Sequence, residues 1–116
     1  MNVKRLLLAS VATLIFLLPW GAAQAFECPK HFAEAQAVID KVSEDMKGDM
    51  SKKMRKEDMA LVHALLDDAK SRLTSAMHNH EKPQGPFDHA RAIAKADAAR
   101  GYAVAADIFH FKLMAM

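Results

Sequence analysis

The stretch MALVHALLDDAKSRLTSAM, Met59 to Met77, decides the fold class. Its apolar residues Met59, Val62, Leu66, Ala69, Leu73 and Ala76 recur at steps of three and four, with Leu65 and Met77 on the shoulders. That spacing keeps side chains on one side of a helix with 3.6 residues per turn, so the stretch predicts an amphipathic α-helix. Lys56, Glu57 and Asp58 precede it, and the acidic pair suits the positive end of a helix dipole. After the first 25 residues no window alternates apolar and polar residues with the period of a strand.

Outward from this stretch, the helical period continues on both sides. Phe32, Ala35, Ile39, Val42 and Met46 form the stripe of a first helix, with Pro29 in its opening turn and Gly48 as its terminator. On the other side Pro83, Gly85 and Pro86 break the chain. A third helix is expected from Asp88, as N-cap, towards Lys112, with an apolar face of Ala90, Ile93, Ala94, Ala98, Gly101, Ala105 and Ile108. Small residues bury little area, and at roughly 25 cal/mol per Å² this face contributes far less than the leucines of the second helix. The expected fold is all-α: a small antiparallel bundle of three helices, the second and third forming a hairpin, with dimerisation or a ligand making up the short core. On the expected third face Asp97 inserts a partly buried carboxylate that needs a partner, for which His31 and His63 are available. Phe109, His110 and Phe111 fall off that face and are expected at the surface.

The start of the 116-residue chain reads as an address. Lys4 and Arg5 are followed by the apolar run Leu6 to Leu18, then Pro19 and the small-x-small triplet Ala23-Gln24-Ala25. This is the pattern of a secretory signal cut before Phe26, giving a leader over residues 1–25, a single helical domain over residues 26–116, and a destination in the periplasm or outside the cell. The thirteen-residue apolar run is short of the roughly 20 residues that span a bilayer, so no membrane attachment is expected after cleavage. Removing Lys4 and Arg5 from the chain's 16 basic residues leaves 14, against 14 acidic ones. A neutral body excludes nucleic-acid binding through net charge. One cysteine excludes an internal disulfide framework.

Donor-bearing side chains gather in three places. Met77-His78-Asn79-His80-Glu81 closes the second helix and Asp88-His89 opens the third. A hairpin brings these ends together, so His78, His80 and His89 with Glu81 are candidate ligands for copper, zinc or nickel as divalent ions. The competing reading is of polar residues at a loop, with His78 suited to a helix C-terminus. Cys28 and His31 stand one turn apart in Cys-Pro-Lys-His and make a second candidate pair, needing donors from another helix or subunit; an intermolecular disulfide through Cys28 is the alternative. Met46, Met50, Met54 and Met59 offer soft thioethers that would suit Cu(I), but Lys47, Lys52, Lys53, Arg55 and Lys56 surround them. Core or linker methionines are the better reading of that group.

Several chemistries lack their residues. The chain has no Cys-x-x-Cys-His for covalent haem, no Glu-x-x-His pair for a carboxylate di-iron bundle, no Gly-rich phosphate loop and no His-Glu-x-x-His. No nucleophile with an oriented base stands out, and an enzyme is not expected.

Leu65-Leu66-Asp67-Asp68-Ala69-Lys70-Ser71-Arg72-Leu73, then His78-Asn79-His80-Glu81, then Asp88-His89-Ala90-Arg91-Ala92-Ile93, resembles small periplasmic metal-binding helical-bundle proteins. The resemblance covers roughly residues 60–107 and is one of composition and topology. It implies an exported bundle that binds divalent metal, copper among them, with His78, His80 and His89 as ligands. Two functions follow as expectations: metal buffering or delivery in the envelope, copper favoured, or a metal-free module that dimerises or docks on an envelope partner through Met and Phe surfaces.

Overall fold

The computed structural model describes the backbone of residues 19–115 and the side chains of residues 27–115. Lys4, Arg5 and Leu6 to Leu18 lie outside the described residues, so the expected leader rests on sequence. Among the described residues three helices carry the fold: α1 (Pro19–Asp45), α2 (Lys56–Glu81) and α3 (Phe87–Ala115), with a short 3-10 turn at Ser51–Lys53 between the first two. No strand occurs among the described residues, and no helix among them is long and apolar enough to cross a membrane.

The first two stripes pack as their spacing predicts. Ala35, Ile39 and Val42 of α1 and Val62, Leu66, Ala69, Leu73 and Ala76 of α2 are buried together, with Phe32 and Met46 packed against them. The third stripe is rotated from its expected position. The buried residues of α3 are Ala92, Ala96, Ala99, Ala103 and Ala106, while Ala90, Ala94, Gly101, Ala105 and Ile108 are exposed. Both sets are apolar and both follow helical spacing. The set that wins is unbroken alanine, which lets two neighbouring helices approach α3 closely. The set that loses is interrupted by Asp97, whose side chain is 54% exposed rather than partly buried.

Cross-helix pairs fix how the elements run. His31 pairs with Asp97 at 2.6 Å and Lys41 with Asp107 at 2.9 Å, each 66 residues apart, so α1 and α3 advance together. Lys95 donates to Ser75 at 2.8 Å and to Asn79, and Arg72 donates to the Tyr102 hydroxyl at 3.1 Å while lying over its ring.

The loops correct three local expectations. Pro29 lies inside α1 rather than in its opening turn, because the helix begins at Pro19. Gly48 is not in the left-handed conformation of a helix terminator. It sits in a tight turn after Asp45, where a Cβ would stand 3.2 Å from the Asp45 carbonyl oxygen. Asp88 lies in the first turn of α3 rather than before it, and is buried. Its carboxylate accepts from the Gln84 backbone N–H and from Arg91, which ties the Pro-Gly loop to the helix. Asp58 lies with Glu57 in the first turn of α2, where the helix dipole favours negative charge. It forms a two-pronged pair with Arg55 at 2.9 and 3.0 Å, and that guanidinium holds its carboxyl below the usual range.

His110 is the largest departure. Instead of facing solvent it is 1% exposed, with Nε2 2.7 Å from Ser51 Oγ. Ser51 Oγ in turn donates to the Asp45 carbonyl at 2.9 Å. One buried pair thereby caps the end of α1 and closes the bundle against α3. Buried polar groups are stable only when satisfied. His110→Ala is expected to lower the unfolding free energy by about 1–3 kcal/mol through the lost bond and the space left behind, read as a lower denaturant midpoint at unchanged slope. Phe109 packs against the core, whereas Phe111 is 70% exposed.

Candidate metal centre

Three donors meet at the end of the bundle opposite His110, one from each helix. Cys28 of α1, His80 of α2 and His89 of α3 each present a ligand atom, and the three atoms lie within 4.8 Å of one another. The reason is periodic. On α1 the core stripe Phe32, Ala35, Ile39, Val42 extends backwards by one step of four to Cys28. On α2 the stripe ending at Leu73 and Ala76 extends forwards by four to His80. On α3 the alanine stripe extends backwards from Ala92 by three to His89. The three residues are the last layer of the core, with donors in place of hydrocarbon.

The layer is dry on its inner side. Cys28 is fully buried and the two histidines are half-buried. The imidazoles meet edge to face with ring centroids 5.4 Å apart, and Phe32 meets His80 in the same way at 5.5 Å. Cys28 Sγ lies 3.5 Å from the His89 carbonyl oxygen, to which its S–H donates. Burial pushes the Cys28 thiol up, a backbone hydrogen bond opposes this, and the Glu27 charge adds to the rise. The Nδ1 atoms of both histidines are buried without a hydrogen-bond partner. A buried polar atom left in that state costs about 1–3 kcal/mol, and two of them share one small site.

Of the residues expected as ligands, the structure brings together Cys28, His80 and His89. It regroups them, since Cys28 stands with the two imidazoles and not with His31. His31 belongs to the Asp97 pair. His78 and Glu81 are exposed on the opposite side of the last turn of α2 from the core stripe, and neither is among the converging donors. The methionines do not form one set. Because α1 ends at Asp45, Met46, Met50 and Met54 share no helix face. Met46 and Met54 pack against the core and Met50 is exposed.

A thiol and two imidazoles suit copper or zinc. Metal–nitrogen and metal–sulfur bonds of about 2.0 and 2.3 Å put ligand atoms roughly 3.5 Å apart, so from separations of up to 4.8 Å binding requires the three side chains to close by about 1.3 Å at most. No protein-family model matches the chain, and no curated protein or solved structure matches it.

Proposed function

We propose that this protein binds a transition-metal ion, copper favoured over zinc and nickel, in the periplasm or outside the cell, and that it buffers or delivers the ion rather than catalysing a reaction. The observation that carries this reading is the convergence of Cys28, His80 and His89 from three helices, together with the two buried Nδ1 atoms that lack partners. A bound ion accepts lone pairs where hydrogen bonds are missing, and so removes a cost the fold otherwise bears. His80 and His89 flank the turn between α2 and α3, which this reading takes as an antiparallel hairpin, and Cys28 reaches them from α1. Export fits the site as well. A cut before Phe26 makes Pro29 the fourth residue of α1, where a backbone N–H has no helical acceptor in any case.

The test is metal content and titration of the chain produced in a bacterium with its own first 25 residues and purified without chelator. One equivalent of ion is expected per chain. His80→Ala and His89→Ala should each lose it, while His78→Ala and Glu81→Gln should bind as the parent does. Equal losses from all four replacements would mean a different ligand set. If the parent gains no stability from copper, zinc or nickel, no ion is bound.

A second reading has one observation in its favour. Phe87 and Phe111 are 74% and 70% exposed, which suits docking on an envelope partner or self-association. In that case sedimentation depends on concentration, and Phe87→Ser with Phe111→Ser abolishes the dependence.

A further inference from the structure

We propose that the ion held by Cys28, His80 and His89 is Cu(I), bound as a closed three-coordinate centre; this rests on the reading of these residues as metal ligands. Charge balance points to it first. The cluster contains one thiol, two imidazoles and no carboxylate. With the thiol deprotonated, the donor set carries a single negative charge, which Cu(I) cancels. Zn(II), Ni(II) or Cu(II) would leave a positive charge on the donor set beside a fully buried cysteine, offset only by the exposed Glu27 carboxylate outside the cluster, and a poorly compensated buried charge is costly.

Coordination number points the same way. A divalent zinc site of three protein ligands takes water or substrate as its fourth. Here the cluster offers no fourth donor side chain among the described residues, so a zinc ion would have to hold a water beside the fully buried Cys28 and the Phe32 ring that packs edge-on against His80. Ni(II) prefers square or octahedral surroundings with more donors. Cu(I) is satisfied by three ligands and selects thiolate. The binding step balances without electron transfer: Cu(I) forms bonds to Cys28 Sγ and one nitrogen of each ring, and the thiol proton leaves to solvent. Breaking the S–H bond also ends its donation to the His89 carbonyl, so the sulfur is released to turn towards the ion.

The experiment sets the full chain, under anaerobic conditions, against a colorimetric Cu(I) chelator and separately against a colorimetric zinc chelator. X-ray absorption at the copper edge reports the ligand shell. The expected result is one Cu(I) per chain, held at least about 100-fold more tightly than Zn(II), with one sulfur and two nitrogens around it. Cys28→Ser should weaken Cu(I) binding by about 100-fold or more while circular dichroism shows the helices retained, and His78→Ala should leave it unchanged. Should Cys28→Ser fail to fold, His80→Ala and His89→Ala carry the test, each losing the one Cu(I) per chain that the parent holds while circular dichroism shows the helices retained. Zinc bound as tightly as Cu(I), or a four-coordinate copper shell, overturns the assignment to Cu(I) and leaves the metal site standing. Failure of the folded parent to bind either ion overturns the site itself.

Discussion

Ala99→Leu is expected to destabilise the protein by about 1–3 kcal/mol or more, and Ala105→Leu to change its stability by less than about 0.5 kcal/mol. Both residues are alanines on α3, six positions apart, and both lie on apolar stripes of helical spacing. They differ in what they face. Ala99 is fully buried in a row of alanines from Ala92 to Ala106, against the stripes of α1 and α2. Helices that meet across alanine have closed to a distance that a leucine cannot enter, so the larger side chain must push a whole helix away. The cost is then shared by every contact along that helix. Ala105 is exposed at the edge of a groove lined by Leu65, Ala98, Gly101 and Tyr102, so a leucine there is taken up without moving a helix. Urea unfolding of the two variants reads the difference as a shift in midpoint. Equal shifts would mean that the face carrying Ala105 is also covered.

That pair of variants isolates the point at which sequence reasoning failed. For α2 the pattern was decisive, since leucine and valine at Val62, Leu66 and Leu73 contrast with charges such as Asp67, Asp68 and Lys70. The α1 stripe was legible for the same reason. In α3 that contrast is missing: alanine lies on several faces, and hydropathy does not distinguish a face that is apolar from a face that permits close approach. The useful signal was uniform smallness, Ala92, Ala96, Ala99, Ala103 and Ala106 at alternating steps of four and three. Following the wrong face placed His110 in solvent and Asp97 in the core, and the structure reverses both. The site was partly legible. Cys28, His80 and His89 were each singled out by donor type, but grouping them by nearness in sequence attached His31 to Cys28 and His78 to His80. Extending each core stripe by one step would have separated them, because His78 is out of phase with Leu73 and Ala76 whereas His80 is in phase. The pairing of His31 with Asp97 was within reach of sequence because both carry charge or acquire it, although the exposure of Asp97 was not.

Loading the centre should also protect the part of α1 next to Cys28. Backbone amides from about His31 to Ala35 are expected to exchange with solvent about 100-fold more slowly when free ion stands at about 100 times its dissociation constant, because binding then adds about 2.7 kcal/mol to the state in which the ligands converge. The size of the effect follows from what surrounds the centre. Along the three stripes the two residues nearest each ligand are Phe32 and Ala35, Ala76 and Leu73, and Ala92 and Ala96. Four of these six are alanine, so less hydrocarbon holds α1 to the other helices at this end than farther along. Farther along, Ile39, Val42, Val62 and Leu66 supply larger side chains, and Ser51 with His110 seals the opposite end. Opening the ligand end of α1 alone therefore breaks few apolar contacts without ion and one metal–thiolate bond with it. Amides near Val42 report global unfolding instead, and should gain no more than the molecule as a whole. Cys28→Ser removes the donor that α1 brings to the cluster, so in that variant added ion should leave exchange of the amides from about His31 to Ala35 unchanged. Uniform slowing along all three helices would instead mean that this end is already as firmly closed as the rest, and that the ion tightens the bundle as one unit.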